Sequence, residues 1–279
     1  MLVDGTRAAR IAAAPRSGLR TVGHQVSFYL KAFGYIGFVL TRYRKEVLRQ
    51  LGTVSFGAGG LAAVGGTVVI ISVLTASAGI EGGLQGYQAL NAIGVDTLTG
   101  FITGFVNVRL AAPLIAGVGL VATVGAGFTA EIGSQRISEE IDALEVMAIR
   151  SIPFLVTTRI ISGAVAIIPL YAVALFSAFG VTKLLVVLGF GQSPGTYDHY
   201  FSTFLIPADV MYSFIEIIVI VIVVMSIHTY YGFNASGGPA GVGVAVGRAV
   251  RLSLVAVMFT ALATSLILYG DSDTLHLSR

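Results

Sequence analysis

The residues of this chain that could carry chemistry are concentrated in one short charged stretch. We define the acidic segment as Thr129–Ile149, with the sequence TAEIGSQRISEEIDALEVMAI. It holds five of the fourteen acidic residues, namely Glu131, Glu139, Glu140, Asp142 and Glu145. Only 11% of the whole chain is charged, well below the roughly 25% of an ordinary soluble domain. Such a concentration indicates a surface that binds a partner through charge.

The periodicity of the acidic segment is helical. Apolar residues recur at helical spacing at Ile137, Ile141, Leu144 and Ala148. The carboxylates of Glu139, Asp142 and Glu145 fall three apart on another face. Ser138 is a candidate N-cap. The acidic residues after it would lie in the first turn of the helix, where the helix dipole favours negative charge. We therefore predict an amphipathic helix over about 134–149; a docking helix and a merely solvated charged face both fit this pattern.

Patterns typical of catalysis or cofactor binding are missing from the sequence. None of the three lysines follows a glycine before Ser or Thr, as a phosphate-binding Walker loop requires. The glycines of 241–247 lack a strand–helix context for a dinucleotide, and we predict a flexible turn there. The chain has no cysteine, and its four histidines are scattered, without metal spacing. The sequence predicts no enzyme, no cofactor and no metal in this chain, so any energy must come from another subunit.

The elements that must position the acidic segment are long and apolar. Five runs of at least 18 residues contain no Asp, Glu, Lys or Arg: 51–80, 110–130, 160–182, 217–247 and 252–270. About 20 apolar residues are enough for a helix to cross the hydrocarbon core. Continuous runs exclude a membrane β-barrel, whose strands alternate. The fold class is an all-α polytopic membrane protein with five transmembrane helices, and the acidic segment connects spans 2 and 3.

The charge distribution predicts the orientation of these spans. Counted by connection, fourteen Lys and Arg residues fall on one side and three on the other. By the positive-inside rule the N-terminus and the acidic segment are cytoplasmic.

The first 20 residues have four arginines and no apolar h-region, so we expect no secretory signal peptide. Residues 21–50 read as an interfacial helix, because Lys31 interrupts the apolar part; a sixth span starting near Val22 is the alternative.

Other features concern packing and connections. The first span, near 56–80, is rich in glycine, and the second carries small residues at Ala122, Ala126 and Ala130, which suit close helix packing. We expect residues 81–108 to form a short helix or a re-entrant piece at the outer surface, and residues 189–199 to form an irregular loop. Glu216 begins the fourth run, so it is either a functional intramembrane carboxylate or a solvated one near the interface.

The acidic segment also carries a family resemblance. Thr129-Ala-Glu-Ile-Gly, Arg136 and the run Glu140-Ile-Asp-Ala-Leu-Glu-Val-Met-Ala resemble the signature of the MlaE/YrbE permeases, the membrane subunits of Mce-type lipid ABC transporters. Arg109 and Pro113 match a second family element upstream. The stretches 197–201 and 228–239 resemble the B-type YrbE paralogues of actinobacteria, and 234–251 leans toward their sterol-associated operon.

The resemblance implies a division of the chain and a set of working residues. Residues 1–50 would form the cytoplasmic segment and interfacial helix, 51–270 the permease domain, and 271–279 an extracytoplasmic tail. The acidic segment would contain the coupling helix that docks on an ATPase, through Arg136, Glu139, Glu140, Asp142, Leu144 and Glu145. Lipid-cavity candidates are Arg109, Pro113, Thr123, Gly125 and Glu216, with a wall formed by spans 1 and 2.

The resemblance further implies the partners. They are a paralogous YrbE-type permease, a cytoplasmic ATPase dimer that binds ATP and Mg, extracytoplasmic Mce proteins and a lipid substrate, with no nucleic acid. The protein would be located in the plasma (inner) membrane, and the lipid would be imported. Two departures, Leu110-Ala-Ala after Arg109 and Thr123 in place of an arginine, favour a heterodimer in which the partner supplies the missing charge. A secondary transporter or channel, and a membrane anchor for Mce proteins, are the alternatives.

Overall fold

The computed structural model describes residues 23–56 and 66–270, and this part of the chain is helical throughout, without a strand. Two predicted features lie outside these residues: the glycines 57, 59, 60 and 65 of the first span, and the four arginines of the first 20 residues. The tail 271–279 lies outside them as well. The helices, in chain order, are α1 (23–34), α2 (Ile36–Arg42), α3 (Arg44–Phe56), α4 (Gly66–Ala92), α5 (Asp96–Ile137), α6 (Glu140–Val146), α7 (Ile152–Gly189), α8 (Pro194–Phe204), α9 (Pro207–Phe233) and α10 (Gly238–Tyr269).

Within residues 23–56 and 66–270, five helices are long and apolar enough to cross a membrane: α4, α5, α7, α9 and α10. The predicted class, an all-α polytopic membrane protein with five spans, is confirmed. Proline occupies the first turn of α8, α9 and α10, where its missing N–H has no helical partner to lose. At about 1.5 Å per residue, the 42 residues of α5 reach far beyond the hydrocarbon core, so this helix projects from it.

Several predicted connections are wrong because helices continue past the charges that bound the apolar runs. Residues 81–108 are not a separate surface piece: 81–92 complete α4 and 96–108 begin α5. The predicted loop 189–199 is mostly the helix α8. The predicted turn at 241–247 lies within α10, and the chain instead reverses at Gly237 and Gly238, both with positive φ. An exposed charge such as Glu81 does not end a helix, since its side chain points away from the bundle.

Close packing of the spans depends on glycine. A Cβ at Gly79 would lie 2.9 Å from the Ala178 carbonyl oxygen, so α4 and α7 touch through backbone. A Cβ at Gly100 would lie 2.6 Å from the Tyr197 carbonyl oxygen, which fixes the start of α5 against α8. Small residues at contact points are typical of helices that pack within lipid. The stripe Ala122, Ala126 and Ala130, by contrast, is largely exposed on this chain.

The N-terminal helices α1–α3 form an almost continuous rod across one end of the bundle. Backbone bonds from Tyr35 to Lys31 and from Tyr43 to Val39 bridge the two irregular positions. Phe28 is buried against Tyr230, and the Ala32 carbonyl oxygen accepts a 2.9 Å hydrogen bond from Thr157. This rod is not among the five spans. Its interfacial position stays a prediction; its contacts place it at the bundle end that carries the acidic segment.

Candidate functional site

The acidic segment contains two helices where one was predicted. The long span α5 ends at Ile137, and Ser138 is its C-cap residue, not the N-cap of a new helix. The Ser138 hydroxyl donates to the Ser134 carbonyl oxygen at 3.0 Å. Glu139 then adopts φ 61°, a left-handed conformation that breaks the helix, and α6 starts at Glu140. The predicted helix over 134–149 is therefore corrected to 140–146, with Arg136 on α5.

An apolar anchor holds α6 against the bundle. Ile141 is buried and packs with Ile132 of α5 and Leu155 of α7, and Leu144 covers this small cluster. Ala148, the last member of the predicted apolar face, lies beyond α6 and is exposed; its φ of 61° turns the chain toward α7. Because Ile141 touches both spans, α6 cannot move without moving the ends of α5 and α7.

The outer side of α6 combines carboxylates with an exposed apolar tip. Asp142 pairs with Arg136 at 2.9 Å, and Glu145 accepts a 2.6 Å hydrogen bond from Ser151. Glu139 and Glu140 are exposed beside them. Val146 and Met147 are 89% and 61% exposed. An apolar centre with a charged rim is the usual composition of a protein-binding surface, and we call 139–147 the docking tip.

A charge cluster that sequence reasoning missed lies beneath the docking tip. Arg159 of α7 is only 1% exposed and pairs with Glu131 of α5 at 2.8 Å. On α3, Glu46 pairs with Arg49 at 2.6 Å. Burial raises the pKa of the Glu46 carboxyl, but hydrogen bonds from Arg49 and Gln50 outweigh burial and hold that pKa below its usual value. The cluster joins α3, α5 and α7. In the charge count that predicted the orientation, Arg159 was only one of the fourteen positive residues on the cytoplasmic side.

The lipid-cavity candidates fall at two levels of the bundle. Near the opposite end, Arg109 of α5 lies 2.8 Å from Asp209 of α9, with its guanidinium 4.0 Å from the centre of the Phe105 ring. Glu216 is fully buried two turns further into α9. Both residues interact electrostatically with Tyr269 of α10. The structure therefore brings Arg109 and Glu216 to one region, and Asp209, which the sequence did not single out, holds Arg109 there.

Thr123 and Gly125 lie elsewhere, about 21 Å and about 24 Å from Arg109 along α5 at about 1.5 Å per residue. The Thr123 hydroxyl donates to the Gly119 carbonyl oxygen of its own helix at 2.8 Å. Gly125 is buried against the ring of His228, which itself bonds Thr129 at 2.7 Å. Pro113 is also buried in packing. The five candidates thus do not line one cavity within the described residues of a single chain.

This geometry defines a class of protein: a polytopic α-helical membrane protein with the docking tip at one end. The permease family described as Permease MlaE matches residues 56–267. The chain belongs to this family, as its sequence motifs predicted. No His, Cys, Asp or Glu cluster able to hold a metal ion occurs in residues 23–56 and 66–270.

Relatives cover most of the chain at low identity. A probable ABC transporter permease protein of Synechocystis is 26% identical over 76% of this chain and 81% of its own length. The intermembrane phospholipid transport system permease protein MlaE of Haemophilus influenzae is 22% identical over 90% of this chain and 97% of its own. The chloroplast protein TRIGALACTOSYLDIACYLGLYCEROL 1 of Arabidopsis thaliana is 25% identical, over 69% of this chain and 55% of its own length.

Proposed function

We propose that this chain is the transmembrane permease subunit of an ABC transporter that moves lipids, powered by a separate ATPase that docks on residues 139–147. The observation that carries the proposal is the docking tip itself: an exposed apolar pair, Val146 and Met147, rimmed by carboxylates and anchored to two spans through Ile141. Membership of a permease family and the ABC permease relatives support the same function. The protein would be a non-catalytic subunit, with ATP and Mg bound by the ATPase.

The anchor supplies a route for the mechanical coupling. Closure of the ATPase dimer would push on the docking tip, and the contacts of Ile141 with Ile132 and Leu155 would pass the displacement to α5 and α7. The ion pair between buried Arg159 and partly exposed Glu131, beneath the docking tip, would keep these two helices moving together. Rotation or separation of the spans would then change access to a lipid site.

The docking tip can be tested by co-purification. In V146S/M147S, truncating two apolar contacts at the centre of an interface should lower the ATPase recovered with the permease at least about tenfold, as loss of interface hot spots does. The reversal E140K/D142K should also lower recovery. M211S is the matched control, because Met211 is 66% exposed at the opposite end of the bundle. If ATPase recovery and lipid uptake both survive these changes in a folded permease, the coupling role is wrong.

The lipid substrate is supported by the relatives' names and by the apolar character of the spans. The Haemophilus relative is named as a phospholipid transport permease. A sterol, toward which the motif at 234–251 leans, and a fatty acid are the alternative cargoes. We propose import as the direction. Mass spectrometry of lipid bound to the purified complex identifies the cargo, and ATP-dependent uptake by reconstituted vesicles tests the direction. Export of labelled lipid from those vesicles would refute import.

A second permease is proposed to pack on the exposed face of α5. Ala122, Ala126 and Ala130 follow one another at four-residue spacing on that face, where small residues allow close approach of another helix. A paralogue would supply the charge that Thr123 lacks, and Mce proteins would contact the extracytoplasmic end. The assembly would sit in the plasma (inner) membrane with a cytoplasmic N-terminus. A126L should split the permease pair in native mass measurements, whereas L266A, on the exposed face of α10, should leave it intact.

One observation favours a second function, that of a proton-coupled secondary transporter. Glu216 is fully buried; Thr264 of α10 interacts with its carboxylate, and no cation among the described residues forms a salt bridge with it. Intramembrane carboxylates often mark proton routes. Lipid uptake that resists vanadate, follows a proton gradient and is lost in E216Q would favour this function over the ABC mechanism.

A further inference from the structure

A narrow slot between α4, α5 and α7 contains a buried amide that the packing of the chain does not use. The small residues of α4 around Gly79–Gly83 form one wall, Asn107 of α5 faces them, and Thr182 of α7 closes the slot. Gly82 and Val106 are exposed at its mouth. The slot belongs to one chain and shares no residue with the docking tip or with the cavity candidates.

Asn107 is the unusual member of this lining. Its side chain is 7% exposed, and neither its amide oxygen nor its amide nitrogen has a hydrogen-bond partner within residues 23–56 and 66–270. Buried polar side chains in native proteins are nearly always paired, and each exception calls for an explanation. An amide both donates and accepts, so its natural complement is a group that does the same, such as a hydroxyl.

The backbone at this position is also unusual. Asn107 lies in the π-helical stretch Ile102–Ala111, and its carbonyl oxygen accepts from the N–H of Ala112, five residues on. Stretches of π-helix cost regular hydrogen bonding and occur frequently at functional sites. Here the widened turn coincides with the residue whose side chain has no partner.

The depth of the slot in the membrane can be judged from the charged residues that adjoin it on α4 and α7. Glu81 follows the charge-free run 51–80 and adjoins Gly82, and Lys183 follows the run 160–182 and adjoins Thr182. Charged residues at the ends of apolar runs lie at the boundary of the hydrocarbon core. At that boundary the hydroxyl groups of neutral lipids reside, with their chains pointing into the core.

The small volume of the slot and its uncharged lining limit the kinds of chemical group that it can bind. The slot has a volume of ≈ 30 Å³, which is enough for one or two groups the size of a water molecule. None of the described residues that line it is charged. A phosphate would therefore be too large and would find no cation. We propose that the slot binds the terminal hydroxyl of a neutral lipid, whose chain lies outside the mouth along Val106.

The proposal deepens the proposed function by naming the class of lipid held at this end of the bundle. It rests on that function only for the lipid's role as cargo.

The proposal is tested on the full chain, in the complex in which it is purified, with photoactivatable diazirine derivatives of hexadecanol and of hexadecyl methyl ether. Peptides labelled by each probe are mapped by mass spectrometry. We expect the alcohol to label 79–86 and 102–111, with an affinity about tenfold above that of the ether, because the ether lacks the donor.

In N107L this preference should vanish, whereas N91L, which changes an exposed asparagine at the end of α4, should keep it. G82L provides a second variant that leaves Asn107 in place. The Cβ at Gly82 meets nothing within 4 Å, so a leucine there fits and covers the mouth; it should abolish labelling by both probes.

Equal labelling by alcohol and ether in the wild type, or an unchanged preference in N107L and G82L, would overturn the proposal and leave an ordered water as the occupant. These outcomes are separable from failure of the proposed function. ATPase co-purification depends on Val146 and Met147 and does not involve the slot.

Discussion

The guanidinium of Arg109 lies 2.8 Å from the carboxylate of Asp209, although the two residues are separated by 100 positions in the chain. The pair joins the second and fourth spans at the end of the bundle away from the docking tip. Both side chains are largely buried, and the guanidinium also lies over the rings of Phe105 and Tyr269. A residue predicted as part of a lipid cavity is thus also a structural link between spans.

The first prediction concerns this pair. D209N should destabilise the protein strongly, because it leaves Arg109 buried without a counter-charge; breaking such a pair costs about 3–5 kcal/mol. We expect a fall of several degrees in the melting temperature in detergent. The control is D198N, which breaks the exposed Lys183–Asp198 pair and should cost less than about 1 kcal/mol. Equal effects of the two substitutions would contradict the buried role.

The second prediction concerns two neighbouring glycines of α5. A Cβ at Gly125 would lie 2.6 Å from the His228 ring, whereas a Cβ at Gly127 meets nothing within 4 Å. G125A should force α5 and α9 apart and destabilise the bundle by about 1–3 kcal/mol, as overpacking does. G127A should be neutral or stabilising by up to about 1 kcal/mol, because alanine favours the helix. Monodispersity in size-exclusion chromatography and the melting temperature report the difference.

The third prediction is an asymmetry between Glu131 and Arg159. Arg159 is buried, whereas Glu131 is 41% exposed. E131Q leaves a buried cation unpaired, while R159M removes the cation and leaves a carboxylate that water can reach. E131Q should therefore lower the melting temperature more than R159M, and E131Q/R159M should resemble R159M alone. A double mutant as unstable as the sum of the two would show that the charges act independently.

The fourth prediction is a pH dependence at Glu46, in the N-terminal rod. The pKa of its carboxyl lies below the usual value of 4.5 in the folded protein. The stabilisation from this ionised group is therefore complete above that usual value and is lost as the pH falls through the folded-state pKa. E46Q should be slightly less stable than the wild type at pH 7, and this difference should shrink as the pH falls below 4.5. A wild-type advantage that persists or grows in acid would contradict this sign.

Sequence was sufficient for the fold class, the number of spans and the family. Apolar runs long enough to cross a bilayer leave few alternatives, since backbone groups in lipid must be bonded within helices. The acidic segment was also recognisable, because charges in an otherwise apolar chain must lie outside the core. Ile141 was correctly assigned to its buried face by periodicity alone.

Tertiary structure decided the boundaries and the partners. Charge-free runs do not mark helix ends, so 81–92 belongs to α4, and the left-handed Glu139 divides the predicted helix of the acidic segment. Asp209 for Arg109, Glu131 for Arg159 and His228 for Thr129 lie on other helices, and no periodicity within one helix encodes contacts between two. Local pattern fixes what each segment is; which side chains meet depends on how the spans pack, and that is decided by shape at glycines such as Gly79 and Gly125.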